Sequence, residues 1–189
     1  MPNVLREVPD QIETERLVIR SPMPGDGAPL REAVLASQAE LRPWLDWAVD
    51  VPDADAYEER VRQGRARYIT REDLWLLLLL KETGAIIGGS GLHRIDWNVP
   101  CFEIGYWLHT AYTGRGYVTE AVRAVEALAF EQLGARRVAI HVDARNARSI
   151  AVVRRLGYPQ EGVLRQYQRG KDDGRLRDIL VFARIRPEP

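Results

Sequence analysis

The chain has 189 residues, so we expect one domain over residues 1–189, with a core covering about residues 13–186. Its 27 Lys and Arg residues balance 27 interleaved Asp and Glu residues, so neither nucleic acid nor a membrane is an expected partner. The single cysteine, Cys101, excludes an internal disulfide and a cysteine-based metal cluster, and with no signal-type N-terminus it favours a metal-free cytoplasmic protein.

The N-terminal half predicts a strand, two helices and a hairpin. ERLVIRSP (residues 15–22) alternates like a strand, and GDGAPLREAVLASQAEL is typical of a helix with Asp26 as its N-cap. A proline-broken, tryptophan-rich connection, RPWLDWAVDVPDAD, leads to a second helix over residues 54–68. LWLLLLLK is shorter than the about 20 residues that span a bilayer and predicts a strand buried on both faces. A three-residue turn then pairs it with residues 85–93.

The C-terminal half predicts strands and helices in alternation. After the strand CFEIGYWL, apolar residues at helical spacing indicate a helix that begins near Tyr117 and stops at Gly134. The strand RRVAIHVD precedes a helix between Asn146 and Gly157, and VLRQYQR and LRDILVFARI form a closing hairpin. This order predicts a mixed α/β (α+β) fold built around one sheet.

A glycine-rich turn in AYTGRGYVTEA joins a predicted strand to a predicted helix. The string G-x-x-x-x-G-K-S/T is absent, and Gly114-Arg115-Gly116 supplies only part of a dinucleotide fingerprint, with Thr119 at the third glycine. Asp143, at the end of the next strand, could still meet a ribose and keeps a nicotinamide-binding oxidoreductase open. Alternatively, a diphosphate could rest on the helix N-terminus, where amides lack acceptors. A plain turn is the simplest interpretation of the glycines.

The surrounding motifs resemble the GNAT superfamily of N-acetyltransferases. Its acyl-CoA-binding motif, Q/R-x-x-G-x-G/A, aligns between Thr113 and Val118, although both of these residues depart from the pattern. ETERLVIR, LRPWLDWA, FEIGYWL, GYVTEAV and ARNARSIAVVRRLGY match, in order, the RimJ/RimL branch, which acetylates N-terminal amines of ribosomal proteins. The likeness covers residues 13–184 and implies a central, mostly antiparallel twisted sheet flanked by helices. Its fourth and fifth strands, FEIGYWL and RRVAIHVD, should splay apart.

The resemblance also implies the chemistry, a direct attack of a primary amine on the thioester of acetyl-CoA. The backbone N–H of Leu108 would stabilise the oxyanion, and Glu103 would act as the base through a water molecule. Ser149 could protonate the thiolate or hold the sulfur, since Val153 replaces the tyrosine acid of many relatives. The alternative for Glu103 is a salt-bridged or solvated strand residue, and the alternative for Ser149, as for Asn146, is capping of the helix N-terminus.

The binding residues follow from the same resemblance. Coenzyme A is expected to contact Trp107, Leu108, Thr113, Gly114, Arg115, Gly116, Tyr117, Val118, Thr119, Asn146 and Ser149. Trp44 and Trp47 are expected to line the acceptor groove, with core anchoring as the alternative, and no metal is expected. His93 and His141 lie on predicted strands and receive no role.

The sequence therefore favours an acetyl-CoA-dependent N-acetyltransferase that acts on the N-terminal α-amine of a protein such as a ribosomal protein. A small-molecule amine, for example an antibiotic, polyamine or amino-acid derivative, is the alternative acceptor. A non-catalytic acyl-CoA sensor is an alternative of another class. A homodimer is a possible assembly.

Overall fold

The computed structural model describes residues 2–186 and contains an eight-stranded sheet in the order β1-β2-β3-β4-β5-β6-β8-β7. The strands are β1 (Gln11–Glu13), β2 (Leu17–Arg20), β3 (Leu74–Leu80), β4 (Ile86–Asp96), β5 (Cys101–Leu108), β6 (Arg137–Asp143), β7 (Gln160–Arg169) and β8 (Leu176–Ile185). Every neighbouring pair is antiparallel except β5 and β6, which are parallel. The predicted mixed, mostly antiparallel sheet is confirmed.

Helices cover both faces of this sheet. They are α1 (Gly27–Leu35), α2 (Gln38–Leu41), α3 (Ala54–Thr70), α4 (Tyr117–Ala127) and α5 (Ala147–Leu156). Helices α4 and α5 contribute to one core cluster, and α1 and α3 contribute to another. Among the described residues, no helix combines the length and apolar character that crossing a membrane requires.

Strand β3 explains why the sheet can carry a core on each face. Side chains alternate along a strand, so Leu76 and Leu78 pack into the cluster beside α4 while Leu77 packs into the cluster beside α1. All three side chains are almost completely buried. The expectation that LWLLLLL is buried on both faces is therefore confirmed.

The first predicted helix is interrupted and is capped differently from the sequence prediction. It stops after α1 and resumes as α2, and the buried Ser37 at the break accepts a hydrogen bond from the backbone N–H of Thr110 at 3.0 Å. Asp26 precedes α1, but its side chain does not cap the helix. Its carboxylate instead binds Arg20 through two contacts of 2.6 and 2.7 Å.

Strands β5 and β6 separate after a short stretch of pairing. Residues 101–103 pair with residues 137–139, whereas β5 continues to Leu108 and β6 to Asp143 without further pairs between them. The sheet is held together on the outer side of each strand, by β4 and by β8. A wedge-shaped opening therefore forms between two strands in the middle of the sheet, as predicted.

Candidate active site

The opening between β5 and β6 continues into a groove of about 1640 Å³. The groove extends from the loop before α3 across the splayed strands to the N-terminal half of α4 and one face of α5. Every site residue predicted from the sequence lines it except Arg115. One continuous surface therefore joins the expected reaction centre to the expected anion site.

The glycine-rich turn ends in an anion-binding geometry. Gly114 and Gly116 have φ angles of +76° and +82°, in the left-handed region that favours glycine, and Gly116 is the N-cap of α4. Within residues 2–186, the backbone N–H groups from Gly114 to Thr119 have no acceptor. Unpaired amides at a helix N-terminus attract a phosphate.

The residues at the two ends of the motif are involved in local packing. The Thr113 hydroxyl donates to the backbone carbonyl of Thr110 at 2.8 Å, so it supports the turn that precedes the glycines. Val118 packs against the core cluster of α4. Arg115 places its guanidinium 5.8 Å from the ring centroid of Tyr112, outside the groove lining. The backbone amides, rather than these side chains, define the cradle.

A carboxylate that the sequence did not single out fixes the orientation of α4. Glu120 Oε1 accepts from the Thr14 hydroxyl at 2.6 Å and from the backbone N–H of Arg16 at 2.9 Å, and Arg16 Nε donates to Oε2 at 2.7 Å. Burial opposes ionisation, but these hydrogen bonds and the Arg16 charge outweigh it and lower the pKa of Glu120. Helix α4 is thereby attached to the segment entering β2, a contact that no local motif predicts.

Glu103 forms part of a charged cluster at the splay. Its Oε2 lies 3.0 Å from His141 Nδ1 and 3.5 Å from Arg94 Nε. Burial opposes ionisation of Glu103, but the His141 hydrogen bond and the charges of His141, Arg94 and His93 outweigh it and lower its pKa. The expected base is thus a partly buried carboxylate that is ionised at neutral pH.

The register of the parallel strands explains why His141 reaches Glu103. Glu103 pairs with Ala139 at the last point where β5 and β6 are joined. His141 lies two residues further along β6, so its side chain projects from the same face as Ala139. The sequence placed both residues on strands, but only the register brings them together.

Ser149 and Tyr106 meet across the groove. Their hydroxyl oxygens lie 2.7 Å apart, while the Asn146 side chain caps α5 by accepting from the Ser149 backbone N–H at 3.0 Å. Burial raises the pKa of Tyr106 to about 12, despite the opposing Ser149 hydrogen bond. Val153, at the position of the tyrosine in many relatives, is fully buried. No sequence motif predicted this hydrogen bond between Tyr106 and Ser149.

The tryptophan-rich connection borders the groove on its other side. Trp47 meets Trp107 edge to face, with ring centroids 5.7 Å apart, and Trp44 also lines the groove. The turn between β7 and β8 is attached to this connection, since the Lys171 backbone N–H donates to Asp46 at 3.0 Å. Both tryptophans therefore line the groove, and their contact with an acceptor stays a prediction.

The other polar candidates have local partners. Asp143 accepts two hydrogen bonds from the Arg145 side chain, at 3.1 and 3.0 Å, so its carboxylate is engaged at the end of β6. His93 Nδ1 lies 2.5 Å from Asp73 Oδ1. Across residues 2–186, no cluster of three or more His, Cys, Asp or Glu side chains could hold a metal ion. Asp143 therefore lies at the edge of the groove with its carboxylate held by Arg145.

The splayed sheet and the unpaired amides at the start of α4 form one continuous groove, which suits an extended anionic ligand. A family model described as the acetyltransferase (GNAT) domain matches residues 16–159. The chain belongs to the GNAT family and is an acetyltransferase. The resemblance suggested by the sequence motifs is confirmed.

Individual relatives agree with this assignment. The chain is 34% identical over 152 residues to the Bacillus subtilis (strain 168) protein named "Putative ribosomal N-acetyltransferase YdaF", covering 80% of this chain and 82% of the relative. It is 27% identical over 157 residues to the Escherichia coli (strain K12) ribosomal-protein-serine acetyltransferase, covering 83% and 86%. The solved structure of RimL, a ribosomal L7/L12 alpha-N-protein acetyltransferase in complex with coenzyme A, superposes with a TM-score of 0.86 at 23% identity, covering 93% and 97%, which shows a shared fold.

Proposed function

We propose that this acetyltransferase transfers the acetyl group of acetyl-CoA to the N-terminal α-amine of a protein, in the cytoplasm, with a ribosomal protein as the favoured acceptor. The observation that carries the proposal is the continuity of the groove. The unpaired amides at the start of α4 and the Glu103 carboxylate at the splay face the same space. The names of the two curated relatives support the choice of acceptor.

The cradle fits the diphosphate of coenzyme A. Gly114 and Gly116 bring main-chain N–H groups to the surface. Because glycine has no side chain, a ligand can approach these N–H groups closely. The helix dipole of α4 adds partial positive charge at the same point. When bound, acetyl-CoA supplies an acetyl group already activated as a thioester.

Leu108 supplies the proposed oxyanion donor through its backbone. His109 N–H donates to the Ile87 carbonyl at 2.7 Å, and antiparallel pairs alternate between hydrogen-bonded and non-hydrogen-bonded. The paired residues Gly88 and Leu108 therefore form a non-hydrogen-bonded pair, and the Leu108 N–H points away from β4 into the splay. A donor fixed in a strand needs no reorganisation as negative charge develops on an acetyl oxygen.

Glu103 is the proposed general base. An α-amine has an ordinary pKa of about 8, against about 10.4 for lysine, so less free energy is needed to deprotonate it near neutrality. The ammonium proton passes through a water molecule to the Glu103 carboxylate, and His141 holds that carboxylate in place from β6. The Arg94 guanidinium contributes a positive charge 3.5 Å away.

Ser149 is the proposed source of the proton for the thiolate. Its hydroxyl lines the groove and shares a hydrogen bond with the Tyr106 hydroxyl. Because the pKa of Tyr106 is raised to about 12, this phenol is protonated at neutral pH and can donate to Ser149 Oγ. A thiolate with a pKa of about 8.5, as in cysteine, needs only a weak acid.

The test is an acetyl-CoA-dependent free-thiol assay. Its acceptors are chosen to distinguish an N-terminal α-amine from the amines of lysine and polyamines. Peptides with a free N-terminal serine or alanine are compared with the same peptides blocked at the N-terminus but carrying a lysine, and with polyamines. We expect thiol release and a mass increase of one acetyl group on free N-termini only. Preferential acetylation of lysine or polyamines would reject the acceptor, and CoA binding without turnover would indicate a sensor.

A further inference from the structure

Three arginines line the groove beyond the diphosphate cradle. Arg123 projects from α4, and Arg148 and Arg155 project from α5. Arg148 and Arg155 are seven residues apart, close to two helical turns, so they lie on one face of α5. Ala151 and Val152, between them, also line the groove. We refer to Arg123, Arg148 and Arg155 as the arginine wall.

The arginine wall carries uncompensated positive charge. Within residues 2–186, none of its three side chains has an ion-pair or hydrogen-bond partner, and all three are exposed. The two acids of α4 are already engaged, Glu120 with Arg16 and Glu126 with Arg184. Helix α5 contains no acidic residue.

This local excess contrasts with the chain as a whole, in which 27 basic and 27 acidic residues cancel. Exposed charges of one sign in a groove repel each other and raise the local concentration of an oppositely charged ligand. An anionic group bound there would relieve the repulsion.

The position of the arginine wall identifies which group that is. Arg123 is six residues beyond Tyr117, the first residue of α4, and thus about 9 Å along the helix from the cradle amides. Arg155 is about 9 Å along α5 from Ser149, which faces the splay. The arginine wall therefore lies towards the nucleotide end of a ligand whose diphosphate occupies the cradle and whose thioester enters the splay.

We propose that the arginine wall binds the 3′-phosphate on the ribose of coenzyme A and makes the enzyme select coenzyme A over its 3′-dephospho form. This inference rests on the proposed use of acetyl-CoA. A phosphomonoester carries about −1.5 to −2 charge at pH 7 and offers three acceptor oxygens. Guanidinium groups match that geometry with paired N–H donors, and the diphosphate would take the amides of α4.

The test measures binding by titration calorimetry with two probes, coenzyme A and 3′-dephospho-coenzyme A. The wild-type chain should bind coenzyme A about tenfold more tightly, the effect of one charge-assisted contact. Arg123→Gln, Arg148→Gln, Arg155→Gln and the triple variant should lose affinity for coenzyme A while leaving the affinity for 3′-dephospho-coenzyme A unchanged. The triple variant should bind the two probes equally.

Arg154→Gln is the matched control, because Arg154 is an exposed arginine of α5 outside the groove lining. It should keep the tenfold preference. Equal wild-type affinity for the two probes, or equal losses for both probes in the wall variants, would overturn the inference. Coenzyme A binding without this preference rejects the 3′-phosphate site alone, whereas no binding of either probe also rejects the proposed function.

Discussion

Glu103, the proposed general base, lies at the splay between β5 and β6, and its ion pairs keep it ionised. Its pKa is below the ordinary value of 4.5, so its basic form persists as the pH falls and is lost only below that range. Glu103→Gln should lower kcat by about 10²- to 10⁴-fold, the contribution of a positioned general base. Coenzyme A binding, measured by calorimetry, should not change. Undiminished turnover would remove Glu103 from the reaction.

His141 offers a separate test of the proposed base, because it contacts the Glu103 carboxylate at 3.0 Å. From pH 8 downward, the logarithm of kcat/KM should fall with a slope of about one as the amine is protonated, and with a slope of about two below the pKa of Glu103. His141→Leu removes the hydrogen bond that lowers this pKa, so the steeper region should begin at a higher pH. A profile that keeps its wild-type shape would contradict the positioning role.

The sequence identified Glu103 but not the residues that support it. Glu103 matched a motif position, whereas its contact with His141 depends on the parallel register of two strands separated by a helix. The Tyr106–Ser149 hydrogen bond likewise joins β5 to α5 across 43 positions. Such pairs are fixed by tertiary packing, which local periodicity does not describe.

At the scale of an element, the start of α4 depends on the backbone conformation of Gly116. A Cβ at this residue would approach only Arg16 Nη2, at an ordinary 3.5 Å, so Gly116→Ala tests backbone strain rather than a clash. The left-handed conformation costs an L-residue about 1–2 kcal/mol. We expect the free energy of unfolding to fall by about 1 kcal/mol and the Kd for coenzyme A to rise at least about fivefold as the amides shift.

Gly162→Ala is the control for this substitution, since a Cβ there would meet open space and its φ lies outside the left-handed region. It should leave both the free energy of unfolding and the Kd near wild type, as measured by urea denaturation and calorimetry. A Gly116→Ala variant that binds coenzyme A normally would show that the amides do not form the cradle.

Elements with strong periodicity were predictable, and those set by distant contacts were not. The hairpin of β3 and β4 and helices α3, α4 and α5 follow from apolar spacing and turn residues. The break at Ser37 coincides with a contact to the distant Thr110, and β1 has only three residues. Strand β8 lies between β6 and β7 in the sheet. The sequence of the hairpin predicts that β7 and β8 pair with each other, but not which of them pairs with β6.

At the scale of the whole molecule, Arg177 of β8 lies beside Asp46 and Asp143, which line the groove. We expect its burial to lower the free energy of unfolding. Its side chain is 0% exposed, and its three guanidinium nitrogens have no hydrogen-bond partner among the described residues. Its nearest carboxylates, on Asp46 and Asp143, are each 3.7 Å away. A buried charge without hydrogen bonds destabilises the folded state.

Arg177→Met should therefore raise the free energy of unfolding by about 1 kcal/mol or more in urea denaturation. Asp143 retains Arg145 and Asp46 is half exposed, so neither carboxylate is left buried and unpaired. Arg184→Met is the opposing control, because Arg184 donates to Glu126 and to the Leu156 carbonyl and should lose stability when replaced. Destabilisation by Arg177→Met would mean that its charge is compensated in solution.

The place of β8 in the sheet determines when the enzyme can become active during synthesis. Strands β2 to β5 neighbour one another in chain order, so they can assemble as the ribosome delivers them. Strand β6 pairs with β8, the last strand described, along the whole length of β6 from Arg137 to Asp143. It therefore cannot complete its pairing before β8 has been synthesised. Until translation has delivered β8, the β6 side of the groove lacks its neighbouring strand, although the proposed catalytic residues Glu103 and Ser149 have already been synthesised.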